Sequence, residues 1–165
     1  MSKMYCETDS IVKLAELINQ LLCLKPGFKI SDVLDKRGGR INYIKTGVLK
    51  EELRIDNKDF YFTINIFKNQ PYKNQRFAAA IQLGDLILHT NYLTDFCLDY
   101  RNNKLKFIKE RNMTENIFFA NAFLMPERLI RDLLSDFLTI EEIAERLKVN
   151  YSDLYSRGIE LKLWT

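Results

Sequence analysis

The sequence predicts an α+β fold, a small antiparallel sheet packed on one central helix and followed by a helical C-terminal region. Three observations lead there. Residues 76–89, RFAAAIQLGDLILH, are apolar almost all the way round a helix, with Phe77, Ile81 and Leu88 on one side and Leu83, Leu86 and Ile87 on another. Phe60, Phe62, Ile64 and Ile66 alternate with Tyr61, Thr63 and Asn65, the period of a strand with one buried and one more polar face. From Pro126 onward, apolar residues recur at helical spacing again. A helix without a polar face belongs in the middle of a domain. Gln82, Asp85 and His89 break its apolar run, and buried polar groups need partners, a cavity or an interface.

A chain of 165 residues, 47% hydrophobic and 28% charged, is long enough to bury one core, so we expect a single domain. Within it, residues 1–125 would form the core and 126–165 a helical subdomain. The formal net charge of +3 does not mark a nucleic-acid binder. Cys6, Cys23 and Cys97 have no C-x-x-C spacing, which favours free thiols and a cytoplasmic setting. The first residues lack a signal peptide's apolar core, and no apolar run approaches a membrane span.

Asp9-Ser10 can cap a helix running to about Leu24, with Ile11, Leu14, Ala15, Ile18 and Leu22 on its apolar face and Pro26-Gly27 as the stop. Cys23 in that run reads as a buried thiol. Gly38-Gly39 marks a turn, and residues 40–45 and 48–55 are candidate strands before a turn at Asp56-Asn57-Lys58. Short turns between three strands favour antiparallel pairing. Residues 67–75, with Pro71, read as a loop into the central helix. Beyond it, Phe96, Leu98 and Tyr100 alternate, as do Leu105 and Phe107 after Asn102-Asn103, which suggests a small hairpin. Arg101, Lys104, Lys106, Lys109 and Arg111 make that stretch basic, and a solvated face is its ordinary reading.

Thr114 can cap a helix ending at Pro126. Leu129, Ile130, Leu133, Leu134 and Phe137 form the buried face of the next. Thr139 and Glu142 have capping-box spacing, and Ser152 can cap a last helix. Residues 139–165 thus have the outline of a helix-turn-helix. They hold four basic residues (Arg146, Lys148, Arg157, Lys162) against five acids, and a unit approaching phosphates needs the opposite balance. Packing or partner docking is the expected role, and direct DNA binding the weaker alternative.

Residues 76–89 resemble the helix of the ImmA/IrrE family of zinc metallopeptidases, whose form is R-F-T-x-A-H-E-L-G-H-x-L-L-H. Arg76, Phe77, Ala80, Leu83, Gly84, Leu88 and His89 match it. A second run, with Phe119, Ala120, Leu124, Met125 and Pro126, resembles the family's E-x-x-A-N-x-F-A-x-x-L-L-M-P. The resemblance implies a zincin-like central helix, yet the positions that carry the chemistry differ. Where the family has His-Glu-x-x-His, this chain has Ile81, Gln82 and Asp85. Ile81 has no lone pair, and an amide such as Gln82 is no general base at neutral pH. The family's third ligand, a Glu, aligns with Met113 or Asn112, and Glu115 lies two or three residues later. His89 is the only histidine, so no pair of histidines can hold one zinc.

The expectation is a catalytically inactive pseudo-peptidase without metal or other cofactor. Family members act on helix-turn-helix repressors of phages and mobile elements, so the resemblance implies an anti-repressor that binds such a protein partner. The expected groove lies between the outer edge of the sheet around residues 60–67 and the central helix, with Phe62, Ile64, Gln82, Asp85 and His89 as candidate partner-binding residues, and the C-terminal helices are the other surface left open for a partner. Two alternatives remain. One is a metallopeptidase rebuilt on Asp85, His89 and Glu115, and the other a direct DNA-binding protein. The ordinary reading of Asp85 is a buried pair with His89, four residues on, or with a base such as Arg76.

Overall fold

The computed structural model describes residues 2–47, 49–56, 61–93 and 104–165, with side chains from residue 8 onward. In order come α1 (Ser2–Leu21), α2 (Ile30–Asp35), β1 (Gly39–Ile44), β2 (Glu52–Ile55), β3 (Phe62–Phe67), α3 (Tyr72–His89), α4 (Met113–Leu124), α5 (Glu127–Ser135), α6 (Ile140–Leu147) and α7 (Tyr151–Glu160). The class is α+β, as expected. Among the described residues no helix is long and apolar enough to cross a membrane. Asn57, Lys58, Phe60, Phe96, Cys97, Leu98, Tyr100, Arg101 and the Asn102-Asn103 turn lie outside the described residues, as does the side chain of Cys6.

Two compact units make up the chain, Lys29–Ile117 on one hand and Met1–Phe28 with Phe118–Thr165 on the other. The division expected after residue 125 falls elsewhere, because α1 joins the C-terminal helices. Asn19 of α1, wholly buried, donates to the Phe123 carbonyl at 2.9 Å. Glu16 accepts from Arg157 Nη2 at 2.9 Å and from the Glu127 amide at 3.0 Å. Contacts across more than a hundred residues leave no local pattern in a sequence.

In the unit Lys29–Ile117 the strand order is β1-β3-β2. β2 pairs antiparallel with β3, but β1 pairs parallel with it, Gly39 opposite Phe62 and Ile44 opposite Phe67. The all-antiparallel sheet is therefore corrected to a mixed one. The most apolar strand takes the centre, and the segment after β1 carries the chain past it to the far edge instead of turning back beside β1. For the same reason β3 lacks the polar face expected of it: Thr63 is 9% exposed and Asn65 1%. Gly38 takes a φ of +77°, and a Cβ on Gly39 would stand 2.2 Å from the Phe62 ring. The glycine pair thus turns the chain and makes room for a core aromatic. α3 starts at Tyr72, four residues earlier than expected, because Pro71 suits the N-terminal boundary and its carbonyl accepts from Asn74 and Gln75.

In the other unit, α1 starts well before Asp9 and ends at Leu21. Cys23, at φ 51°, closes it through Cys23 N–H to Gln20 O and Leu24 N–H to Asn19 O. That place beyond the helix leaves Cys23 exposed, contrary to the expected buried thiol. The capping box of Thr139 and Glu142 is present at the head of α6, and Lys148 in the left-handed region ends that helix. α7 begins at Tyr151 after Asn150, so Ser152 lies inside it. Similarly Asn112, not Thr114, caps α4, its Oδ1 accepting from the Thr114 and Glu115 amides. Phe137, expected in the core, is 96% exposed because α5 stops at Ser135 and Phe137 turns out at φ 60°.

Candidate functional site

The C-terminal half of α3 carries the family-like motif, and the segment 104–112 lies across its end. Thr90 forms a bridge with Phe107, and Ile108 N–H donates to His89 O at 2.8 Å. Asn91 clamps the same segment with its side chain, donating to Lys104 O at 3.1 Å and accepting from Lys106 N–H at 2.8 Å. This docking brings Lys109 and Arg111, from the basic run read in the sequence as a solvated face, to the acids of the site, while Lys104, Lys106, Lys109 and Arg111 all remain exposed.

Asp85 and His89 are both 0% exposed, and His89 Nδ1 lies 3.1 Å from Asp85 Oδ1. The angle there does not make a hydrogen bond, and both Asp85 oxygens remain without a hydrogen-bonding partner. What compensates the carboxylate is charge. Arg111 reaches in from the surface, its Nη2 in ion-pair contact with Asp85 Oδ2, while its guanidinium carbon sits 5.0 Å from the Phe107 ring centre. The predicted partner Arg76 is instead one helical turn from Tyr72, with which it hydrogen-bonds.

On the other side of the imidazole, His89 Nε2 lies 3.1 Å from Glu115 Oε2 and 3.3 Å from the Asn112 amide nitrogen. One nitrogen cannot donate to the carboxylate and accept from the amide at once, so the tautomer chooses between them. Lys109 Nζ also reaches Glu115 Oε2, at 3.1 Å. Burial pushes the Glu115 carboxyl up, but hydrogen bonds and charge from Lys109 and His89 outweigh it and hold the group below its ordinary value.

Gln82, at the position of the family's general base, is 6% exposed. Its Oε1 accepts from the Leu53 N–H at 2.9 Å. β2 is an edge strand, and in an antiparallel ladder alternate residues turn their N–H outward. Gln82 satisfies one of those outward groups. Ile81 is partly exposed, and Met113, aligned with the missing third ligand, is 58% exposed at the start of α4. Phe62 and Ile64 are 0% exposed and β3 is paired on both sides, so the outer edges of the sheet are β1 and β2 and not the strand that carries these two residues.

Do these residues fit a catalytic metal? The structure does bring Asp85, His89 and Glu115 together, as the rebuilt-site alternative requires. Yet the two carboxylates face opposite ring nitrogens, whose lone pairs diverge, so the three do not converge on one point. A cation on either nitrogen would have one carboxylate beside it, already engaged by Arg111 or Lys109. A catalytic zinc needs three protein ligands around one centre. Among the described residues no group of three His, Cys, Asp or Glu side chains has that arrangement. The donor set does not fit the metal.

Arg111 and Lys109 were missed as site residues. The signal was present in principle, since a buried Asp requires a cation and the nearest basic cluster downstream is theirs.

An α+β domain whose central helix has the frame of a metallopeptidase motif without its ligands defines the class. The chain belongs to the IrrE N-terminal-like domain family, a metallopeptidase family, which residues 35–157 match. No curated protein matches the sequence significantly. In three dimensions the chain is similar to a Mycobacterium tuberculosis transcriptional regulator, with a TM-score of 0.58 at 16% identity over 90% of this chain and 46% of that one. At that identity the likeness concerns the fold alone, and this chain spans about half of that regulator's length.

Proposed function

We propose that this protein is a catalytically inactive family member, a pseudo-peptidase that regulates transcription as an anti-repressor by binding a helix-turn-helix repressor of a phage or mobile element. One observation carries the loss of activity: the polar groups of the former site face separate protein groups and do not converge on one point. Gln82 serves the β2 backbone, Asp85 serves Arg111, and the two nitrogens of His89 face Asp85 and Glu115. A peptidase site needs a base and an electrophile free to meet the substrate.

Partner binding is supported by family membership and by the regulator-like fold. Because Phe62, Ile64, Asp85 and His89 are fully buried and Gln82 nearly so, the partner's contact surface lies elsewhere on the chain. Direct DNA reading by α6 and α7 is disfavoured, since Arg157, on the would-be recognition helix, is 5% exposed and paired with Glu16.

The test uses the purified protein, a helix-turn-helix repressor and its operator. We expect the protein to bind the repressor and lower operator occupancy with the repressor chain left intact. Chelator-sensitive cleavage products would overturn the inactive reading. Unchanged operator occupancy, without complex formation, would overturn the anti-repressor reading.

A further inference from the structure

The two edges of the sheet differ. β2 has four residues, and the Gln82 side chain takes up the Leu53 N–H. β1, the edge away from the former site, has six residues and no proline. Its backbone orientation follows from the ladder with β3. Gly38 O accepts from Phe62 N–H at 3.3 Å, and Ile44 O accepts from Lys68 N–H at 3.0 Å. In a parallel pair such groups alternate along the strand, so Arg40 and Asn42 also face β3. The N–H and C=O of Ile41 and Tyr43 therefore point outward. Among the described residues no hydrogen bond takes up these four groups. A strand edge of this kind is a template for another strand.

Beside that edge lies a place for a side chain. Ile41 and Tyr43 line, with Ile66, a cavity of about 280 Å³ between β1, the start of α2 and the first turns of α3. Tyr43 is 53% exposed, so the rim reaches solvent along the strand. The volume lies at or below the usual span for small-molecule pockets, about 300–1,000 Å³, and suits one side chain better than a whole ligand.

Charge selects the occupant. Residues 29–45 hold five basic residues against two acids, Asp32 and Asp35. Lys29, Lys36, Arg40 and Lys45 are all exposed, and Lys29 lines the cavity. Pairing with β1 of a second copy would set this positive charge against itself, whereas an acidic strand complements it.

We propose that the outer edge of β1 takes up an extended acidic segment of a partner protein as a fourth strand. Its backbone bonds to the N–H and C=O of Ile41 and Tyr43, and one apolar side chain enters the cavity. Residues opposite Ile41 and Tyr43 point to the same face as they do, so apolar positions alternate with acidic ones along the segment. This inference stands apart from the anti-repressor reading, and neither depends on the other.

The probe is a short acetylated and amidated peptide of alternating glutamate and valine with one central leucine. Added to the protein at low ionic strength, it should slow hydrogen exchange at the Ile41 and Tyr43 amides by about tenfold or more. A peptide with lysine in place of glutamate should not bind. Tyr43→Pro removes an outward N–H that the ladder with β3 does not use. It should weaken the peptide by about tenfold relative to Tyr43→Ala, which keeps that group. Lys45→Glu, exposed just beyond β1, should also weaken it, and Lys13→Glu on α1 should not. No binding at millimolar peptide would overturn the proposal, as would binding that leaves both amides unprotected. So would equal affinity for the lysine peptide, or equal loss in the two lysine variants. If Tyr43→Pro does not fold, the amide exchange and the lysine variants still decide.

Discussion

Arg111 closes over Asp85. The carboxylate side chain is 1% exposed and the arginine side chain 44%, so a surface residue supplies the counter-charge for a group in the interior of its unit. The partners are twenty-six residues apart, and the contact holds the segment 104–112 on the end of α3. In the resembling motif a histidine occupies the position of Asp85 and binds zinc. Here a side-chain cation and a side-chain anion meet at that position.

Removing one member of such a pair leaves the other buried and uncompensated. Arg111→Ala should lower stability by about 2–3 kcal/mol, somewhat less than for a fully buried pair because Arg111 is partly solvated. Asp85→Asn in the Arg111→Ala background should recover most of that loss. Denaturant unfolding of the two single variants and the double variant measures the coupling.

Gln82→Ala should cost about 1–3 kcal/mol, since it leaves the Leu53 amide without its acceptor in a closed environment. Gln82→Glu restores the residue found at the family's general-base position, yet Ile81 still offers no ligand and Asp85 is held by Arg111. Chelator-sensitive peptide cleavage should therefore remain undetectable in Gln82→Glu, and its appearance would contradict the site geometry.

Glu115 ties stability to acid. Its folded pKa lies below its ordinary value of 4.5, so the unfolded chain takes up this proton first as pH falls. The contribution is fully present above about pH 4.5 and is lost as pH drops through the lower, folded value. Glu115→Gln should flatten the stability profile in that acid range and leave its slope near neutrality unchanged. Unfolding free energies across an acid series read this directly.

Gly158 holds the C-terminal tail in place. A Cβ there would stand 1.8 Å from the Trp164 ring, and Trp164 Nε1 donates to Tyr155 O at 3.0 Å. Gly158→Ala should displace the indole and cost about 1 kcal/mol, a modest sum because the ring is only partly buried and can swing outward. Trp164 is the only tryptophan, so a red shift of its emission reports the displacement.

Arg157 tests the reading of the C-terminal helices. It is nearly buried, donates to Glu16 at 2.9 Å and lies 3.4 Å from the Met125 carbonyl. Arg157→Ala should cost about 3 kcal/mol of stability through the stranded Glu16 and lost packing. A loss of DNA affinity without loss of stability would point instead to a recognition helix.

By itself the sequence determined the local elements and the state of the motif. Period 3.6 and period 2 are written into neighbouring residues, so the apolar helix at 76–89, the strand at 62–67 and the capping box at Thr139 were legible. So was the absence of a metal ligand at Ile81 and of a general base at Gln82, because that chemistry belongs to the side chain itself. Tertiary structure alone decided which distant segments meet. It set β1 parallel to β3, grouped α1 with the C-terminal helices, and brought Arg111 to Asp85 and Gln82 to the Leu53 amide. It also sent Phe137 outward, since the place where a helix stops depends on its closing turn as much as on its apolar stripe. Such pairings are selected by the burial and charge compensation of the whole fold, and those sums cannot be read from any one stretch of chain.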